Sequence, residues 1–376
     1  MMRGFERAEY AARLGAAQSR MDAAGLGALL LTTEADLRYF SGFLTRFWES
    51  PSRPWFLILP RSGAPVAVIP SIGAELMAKT WVEDIRTWAA PDPWDDGISL
   101  LADALREIGG PVGVPSGRET HLRMPLGDFE LLKAASGLSF VDGHGIVASL
   151  RAVKSEAEIA KIAKVCAIAG RAFDRVPEIA QAGVPLDRVF RDFQRLLLEE
   201  GADWVPYLAG GAGPNGYSDV ISPASETPLA AGDVLMLDTG AVKDGYFCDY
   251  DRNFAIGEPG KAARDAHARL IEATMAGLEA ATVGALASDV FSAMAAITGG
   301  GEGAGRLGHG LGMQLTEGLS LSAKDDSVLR AGMVITLEPG IDVAPGRLMV
   351  HEENIVIRED GPERLTSFSG AEMPVI

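Results

Sequence analysis

GDVLMLDTGAVKDGYFCDYDRNFAIG, Gly232 to Gly257, decides how this chain of 376 residues folds. Two extended runs flank the turn-forming VKDG, the pattern of a β-hairpin. Asp238 ends an apolar strand and Asp249 lies eleven residues on, so a short turn brings both carboxylates to one end of a sheet. Two acids held together there require a cation. The same design returns near the end of the chain, where GMVITLEPGIDV and RLMVHEENIVI set Glu338 and Glu352 fourteen residues apart in apolar strands. An unpaired carboxylate is costly to bury in such surroundings. Between the two pairs, GHGLGMQLTEG (Gly308 to Gly318) holds His309, one of five histidines, between two glycines. Four carboxylates and one imidazole form a ligand set for two divalent cations, with oxygen donors bridging and the imidazole completing one site.

Outward from the hairpins the chain divides into two differently patterned parts. From Gly27 to Val147 strands and helices alternate: GALLLTT, then WFLILPRSGAPVAVIP, read as a hairpin in a mixed sheet, then PVGVPSG. At SLRAVKSEAEIAKIAKVCAIAGRAF the texture becomes helical, with Ser155 and Glu158 spaced as a capping box. The boundary falls near Ser149, giving an α/β domain over 1–149 and a second domain over 150–376. A helix over Pro185 to Glu200, with Pro185 in its first turn, precedes the first hairpin. Helices over Lys261 to Ala281 and Ala285 to Ile297 precede the second. Helix, helix, hairpin thus occurs twice, as in an internal duplication whose hairpins face each other.

Composition narrows the function. A hydrophobic content of 47% and mean hydropathy of +0.12 allow two buried cores, and this length favours two domains. The net charge of −17 disfavours nucleic acid and anionic lipid as partners. No segment approaches a membrane span, and the amino terminus reads as a charged amphipathic helix rather than a secretory signal. Cys166 and Cys248 offer neither a disulfide framework nor CxxC spacing, and a cytoplasmic location is expected.

Taken singly, DTG, CDYDR, GHGLG, LEPG and EEN are common turns and caps; in this order they are specific. Across Leu150 to Gly361 the chain resembles the pita-bread metallopeptidases, which include prolidase, aminopeptidase P and methionine aminopeptidase, with metal-free creatinase as a relative. The resemblance implies an α+β fold, a duplicated pita-bread domain preceded by a ribonuclease-H-like α/β domain. It further implies Asp238, Asp249, His309, Glu338 and Glu352 as ligands of two divalent ions, manganese, cobalt, zinc or iron with manganese favoured. Glu338 is then the proton acceptor in a metal-assisted hydrolysis of a peptide or amide C–N bond, and the enzyme is a homodimer.

The same comparison exposes departures. A substrate-facing histidine of the peptidases is Thr316 here, a second is Val220 or, with a small shift, Asp219 or Tyr217, and the prolidase arginine that binds a dipeptide carboxylate is Val350. Dipeptides are therefore expected to bind poorly unless Arg347, or an arginine of the partner's Arg46 to Phe56 segment, replaces the lost cation. Asp251, on the strand face of Asp249, is a candidate additional acid/base, with a structural pairing to Arg252 or another cation as the alternative. His351 is expected on the face opposite Glu352. In RFWESPSRPWF, Trp48, Arg53 and Trp55 are candidates for substrate recognition. The alternative function is metal-dependent chemistry on a small non-peptide, an amide, amidine or compatible solute. Binding without turnover is disfavoured, because five polar ligands are costly to keep among strands without metal.

Overall fold

The computed structural model describes residues 3–50, 54–300 and 305–376, which form two compact units, Met1–Arg151 and Ala152–Ile376. In the first, helix α1 (Arg7–Ala23) leads into β1 (Ala28–Leu31), α2 (Glu34–Ser41), β2 (Phe56–Pro60), β3 (Val66–Pro70), the single turn α3 (Ala74–Met77) and β4 (Asp84–Trp88). There follow α4 (Ile98–Ile108), β5 (Val112–Val114), α5 (Leu126–Ser136), β6 (Phe140–Asp142) and α6 (Ile146–Ala152). The six strands make one sheet in the order β4-β3-β2-β1-β5-β6. As expected, β2 and β3 form an antiparallel hairpin, whereas β1–β5 and β5–β6 are parallel, so the sheet is mixed. Apolar residues of α4, Leu101 and Leu105, pack with Ile58 and Val68 in its core.

The second unit repeats one theme. α7 (Glu156–Asp174) starts at the expected capping box, with Ser155 Oγ accepting from Glu158 N and Glu158 Oε2 accepting from Ser155 N. Such a cap satisfies amide donors that the helix cannot, and is worth about 1 kcal/mol. α8 (Leu186–Glu199) follows, with Pro185 as its cap rather than inside its first turn. Then come β7 (Trp204–Pro214), β8 (Asp233–Lys243), β9 (Tyr246–Phe247) and β10 (Tyr250–Ala255). Asp244 and Gly245, at φ +49° and +79°, make the turn, so the register runs outward from them to Val242↔Phe247 and Asp238↔Asp251. Asp238 is therefore mid-strand, not at a strand end; β8 continues beyond it because β7 pairs with it on its other edge.

α9 (Lys261–Ala280) and α10 (Ala287–Thr298) open the second half. β11 (Arg306–His309) pairs with β12 (Ser320–Ser322), and β13 (Val334–Leu337) pairs with β16 (Glu353–Arg358), which carries β17 (Gly361–Arg364). The expected second hairpin is thus split. Between β13 and β16 the chain makes a separate two-stranded ladder, β14 (Gly340–Ala344) and β15 (Arg347–Val350). Leu337, Ile335 and Ile355 pack against Ala273, Val290 and Met294 of the helices. Each such buried aliphatic side chain contributes about 1.5–3 kcal/mol through burial. Among the described residues no helix is long and apolar enough to cross a membrane.

Candidate metal centre

The two halves of the second unit each deliver carboxylates from paired strands. Asp238 and Asp251 stand directly opposite each other on the first hairpin, and Asp249 lies in the short stretch between β9 and β10. Asn354 of β16 fixes the backbone at Asp249: its Oδ1 accepts from Asp249 N at 3.1 Å and its amide donates to Asp249 O. Glu338 and Glu352 stand immediately beyond the last register pair of β13 and β16, Leu337↔Glu353. Leu307 O accepts from Glu338 N at 2.9 Å, and Thr336 Oγ1 accepts from His309 N at 3.1 Å, so β11 and β13 hold His309 and Glu338 side by side.

His309 is buried, and its Nε2 lies 3.3 Å from Asp249 Oδ2 and 3.8 Å from Glu352 Oε1. Its Nδ1 is 3.0 Å from Gly310 O, which can only accept; Nδ1 therefore carries the proton and Nε2 presents its lone pair to the acids. Ligand atoms of Asp249, His309 and Glu352 all lie within 4.8 Å of one another. Asp238 and Glu338 border this group closely enough that their charges raise the Asp249 and Glu352 carboxyls.

Burial is the largest cause of the raised pKa of Asp238, Asp249 and Glu352, and mutual repulsion adds to it. Glu338 is pushed up to about 7, by burial first and by Asp251, against the opposing charge of Arg306. His309 is lowered to about 4, again mainly by burial, which keeps its imidazole neutral at working pH. Asp238 Oδ1, Asp249 Oδ1 and Glu352 Oε1 are buried without a hydrogen-bond partner. Buried acceptors left unpaired are costly, and hard oxygen donors converging beside a neutral imidazole fit divalent cations.

Asp251 is also buried, and neither of its carboxylate oxygens has a hydrogen-bond donor. Its side chain faces His351 Nδ1 at 3.4 Å rather than Arg252, whose guanidinium pairs with Glu353. His351 is not on the opposite side from the acids as strand alternation suggested, because residues 351 and 352 lie between strands and obey no alternation. Its Nε2 contacts Glu353 Oε1 at 3.1 Å. Burial opposes a charge on this ring, but Asp251 and Glu353 outweigh it and raise its pKa.

Other expected contacts fall elsewhere. Tyr217 is buried, its hydroxyl accepting from Val350 N at 2.7 Å and lying 3.2 Å from Asn253 Oδ1; this packing occupies the group a substrate would use. Asp219 is exposed and caps its own turn, accepting from Ile221 N and Ser222 N. Val220 packs at the edge of an apolar cluster with Val350. Trp55 is 1% exposed and packs edge-on or tilted against Phe43, Phe47 and Trp48, so it is a core residue of the first unit instead of an exposed recognition element. Trp48 is half-buried beneath the Arg123 guanidinium, and Arg53 lies outside the described residues. Arg347 lies against Gly213, at the Val234 end of the β7–β8 ladder.

Thr316 accepts from Arg306 Nη2 at 3.3 Å, and Glu317, its neighbour, pairs with the buried Lys154 at 3.0 Å. Sequence reading missed Arg306, and it missed Tyr207, whose hydroxyl interacts with Asp238 and is raised by burial and by Asp238 and Asp249. The pairing of β7 with β8, which sets Tyr207 beside Gly240, could have pointed to Tyr207.

A duplicated helix-helix-strand unit with acids and one imidazole between its halves, joined to a mixed α/β unit, defines a metal-dependent hydrolase of the pita-bread class. Residues 160–359 match the model of metallopeptidase family M24, and residues 13–153 match that of the creatinase/prolidase N-terminal domain; the chain belongs to metallopeptidase family M24. It is 31% identical over 365 residues to "Probable dipeptidase PepE" of Mycobacterium tuberculosis, covering 96% of this chain and 95% of that protein. Among solved structures it is similar to dipeptidase PepE from Mycobacterium ulcerans, with a TM-score of 0.83, 30% identity and 99% of each chain covered. The prolidase from Pyrococcus horikoshii OT3 is similar with a TM-score of 0.82 and 25% identity, covering 95% of this chain and 99% of that one.

Proposed function

We propose that this protein hydrolyses the amide bond of a small peptide, with two divalent ions held by Asp238, Asp249, His309, Glu338 and Glu352. The observation that carries this reading is the convergence of Asp249, His309 and Glu352, with unpaired acceptor oxygens on two of them. The relatives named as dipeptidases and prolidase support a peptide substrate. The prevalence of carboxylate oxygen among the donors favours manganese. Two buried free cysteines agree with a reducing, cytoplasmic setting.

When bound, the ions supply a water acidic enough to attack at neutral pH and polarise the scissile carbonyl. Glu338 accepts the proton released as water adds to the carbonyl and returns it to the departing amine nitrogen. His309 stays neutral and fixed in one tautomer by Gly310 O. Asp251, whose carboxylate oxygens have no hydrogen-bond donor and which faces His351 Nδ1 at 3.4 Å, is placed to hold the substrate's amino group as a counter-charge. Its own pKa, raised mainly by burial, makes a cation beside it favourable.

The test is metal content and turnover on one preparation. About two equivalents of manganese are expected per wild-type chain, with hydrolysis of small peptides including Xaa-Pro dipeptides. An Asp249→Ala, His309→Ala double variant should lose most of the metal. Full metal retention by that variant overturns the ligand assignment. Hydrolysis of small non-peptide amides with no peptide turned over would replace the substrate class and leave the metal site standing.

A further inference from the structure

Arg306 stands three residues before His309 on β11, and strict strand alternation would turn its side chain away from the acids. The ladder prevents this. Arg306 pairs with Ser322 and His309 with Ser320, so three steps on β11 match two on β12, the signature of a bulge. Gly308, at φ +138°, makes the bulge possible, and a Cβ there would meet Thr336 O at 2.2 Å. The extra residue rotates Arg306 onto the side of His309. Its guanidinium reaches Thr316 Oγ1, and its positive charge acts on Asp249, His309 and Glu338.

A guanidinium beside so many carboxylates would be expected to pair with one. Among the described residues Arg306 makes no ion pair: its hydrogen bond goes to a neutral hydroxyl. Thr316 uses one acceptor site and directs one edge of the fork, leaving the other donors for a ligand. Arg306 is exposed, so the ligand can arrive from solvent. A planar fork of N–H donors matches a carboxylate in a bidentate fashion. In a dipeptide the free carboxylate lies one residue beyond the scissile carbonyl, a short reach from the acid cluster.

We propose that Arg306, oriented by Thr316 and by the Gly308 bulge, binds the terminal carboxylate of a dipeptide substrate and sets the preference for dipeptides over longer peptides. This assignment rests on the peptidase reading above. It gives the site a cation on the β11–β12 ladder, where Val350 on the β14–β15 ladder supplies none, and changes the expectation that dipeptides bind poorly. It also accounts for the threonine in LTEG. A hydroxyl can accept from Arg306 without competing for its charge, whereas an imidazolium in the same place would repel it.

The experiment compares an Xaa-Pro dipeptide with its C-terminal amide on manganese-loaded wild type, Arg306→Ala and Arg306→Lys. Turnover is measured together with calorimetric binding of a non-hydrolysable reduced-amide dipeptide and its amide. Wild type should prefer the free acid. In Arg306→Ala the acid-to-amide ratio in kcat/KM and in affinity should fall about 10- to 100-fold, carried by KM, the range of a charge-assisted hydrogen bond. Arg306→Lys should restore part of the ratio, since it returns the charge without the fork. An unchanged ratio in Arg306→Ala overturns the assignment while leaving the peptidase reading intact. Equal losses for acid and amide, carried by kcat, also overturn it, because they place Arg306 on the transition state instead. Wild type that neither binds nor cleaves either compound overturns the peptidase reading itself, and this assignment with it.

Discussion

Replacing Glu338 by glutamine should stabilise the metal-free protein, and the size of the gain should depend on pH. The backbone N–H of Glu338 donates to Leu307 O, and burial first, with the charge of Asp251, pushes its carboxyl from 4.5 up to about 7 against the opposing charge of Arg306. A group that binds its proton more tightly when folded favours folding below its unfolded pKa. That advantage is lost as pH rises through the folded value, since ionisation then occurs against burial. Each tenfold change in proton affinity corresponds to about 1.36 kcal/mol, so the metal-free wild type should lose up to about 3 kcal/mol between pH 4.5 and 7.5 from this residue alone. Partial solvent access makes that an upper bound. Glutamine keeps the shape and carries no charge. Urea midpoints of wild type and Glu338→Gln, both in chelator, should keep a constant offset below pH 4.5 and diverge in the variant's favour up to pH 8. Taking the difference between the two proteins removes the titration of carboxylates that do not feel Glu338; Asp238, Asp249 and Glu352, which Glu338 raises, ionise more easily beside glutamine and add to the divergence in the same direction. Excess manganese should reverse the order, because ligand present at a thousand times Kd stabilises the wild type by about 4 kcal/mol per site. A wild-type minus variant difference that stays flat from pH 5 to pH 8 would refute the reasoning, and Glu338 would then have to be solvated like a surface acid.

Acid should act on a second buried group. His267, against Gly370 O at 3.1 Å, is lowered to about 4 mainly by burial, so the unfolded chain takes up its proton first as pH falls from 6.5. Up to about 3 kcal/mol of stability should disappear between pH 6.5 and 4; a urea series with His267→Gln should show that part of the slope reduced. Gly308→Ala should cost at least about 2 kcal/mol, since it combines a strained φ with a clash against Thr336 O. It should also lower metal content by displacing His309, and normal metal content with normal stability would show the bulge to be dispensable. Lys154 and Glu317 form an ion pair whose side chains are 2% and 8% exposed. Lys154→Met should therefore cost about 3–5 kcal/mol in chemical denaturation, and adding Glu317→Leu should recover most of it, because the penalty is the charge left alone.

Much of this molecule is legible from its residues, and the reasons differ by element. Ser155 and Glu158 announce α7 because a capping box is a local interaction complete within four residues. The Asp-Gly turn at 244–245 fixes a register, and counting outward from it places Asp251 opposite Asp238 without any tertiary information. The acids of the second half are equally legible by type and order. Their setting is not, since hydrophobic period cannot tell where a ladder divides. The run from Gly332 to Ile357 reads as two apolar strands, yet the chain leaves the β13–β16 pair at Glu338, makes the β14–β15 ladder, and rejoins at Glu353.

Two residues that escape such reading, His351 and Arg306, share one physical cause: each departs from period 2. The rule that turns His351 away from Glu352 holds only inside a strand, and His351 sits outside one, against Asp251. Alternation from His309 points Arg306 outward, and only the extra residue at Gly308 turns it in. A positive-φ glycine in a strand next to a metal-ligand candidate is therefore the signal to count the partner strand as well. Where three residues face two, the side chain three positions from the ligand shares its face. In this chain that side chain is a cation whose charge reaches Asp249 and Glu338, in a site to which Val350 brings none.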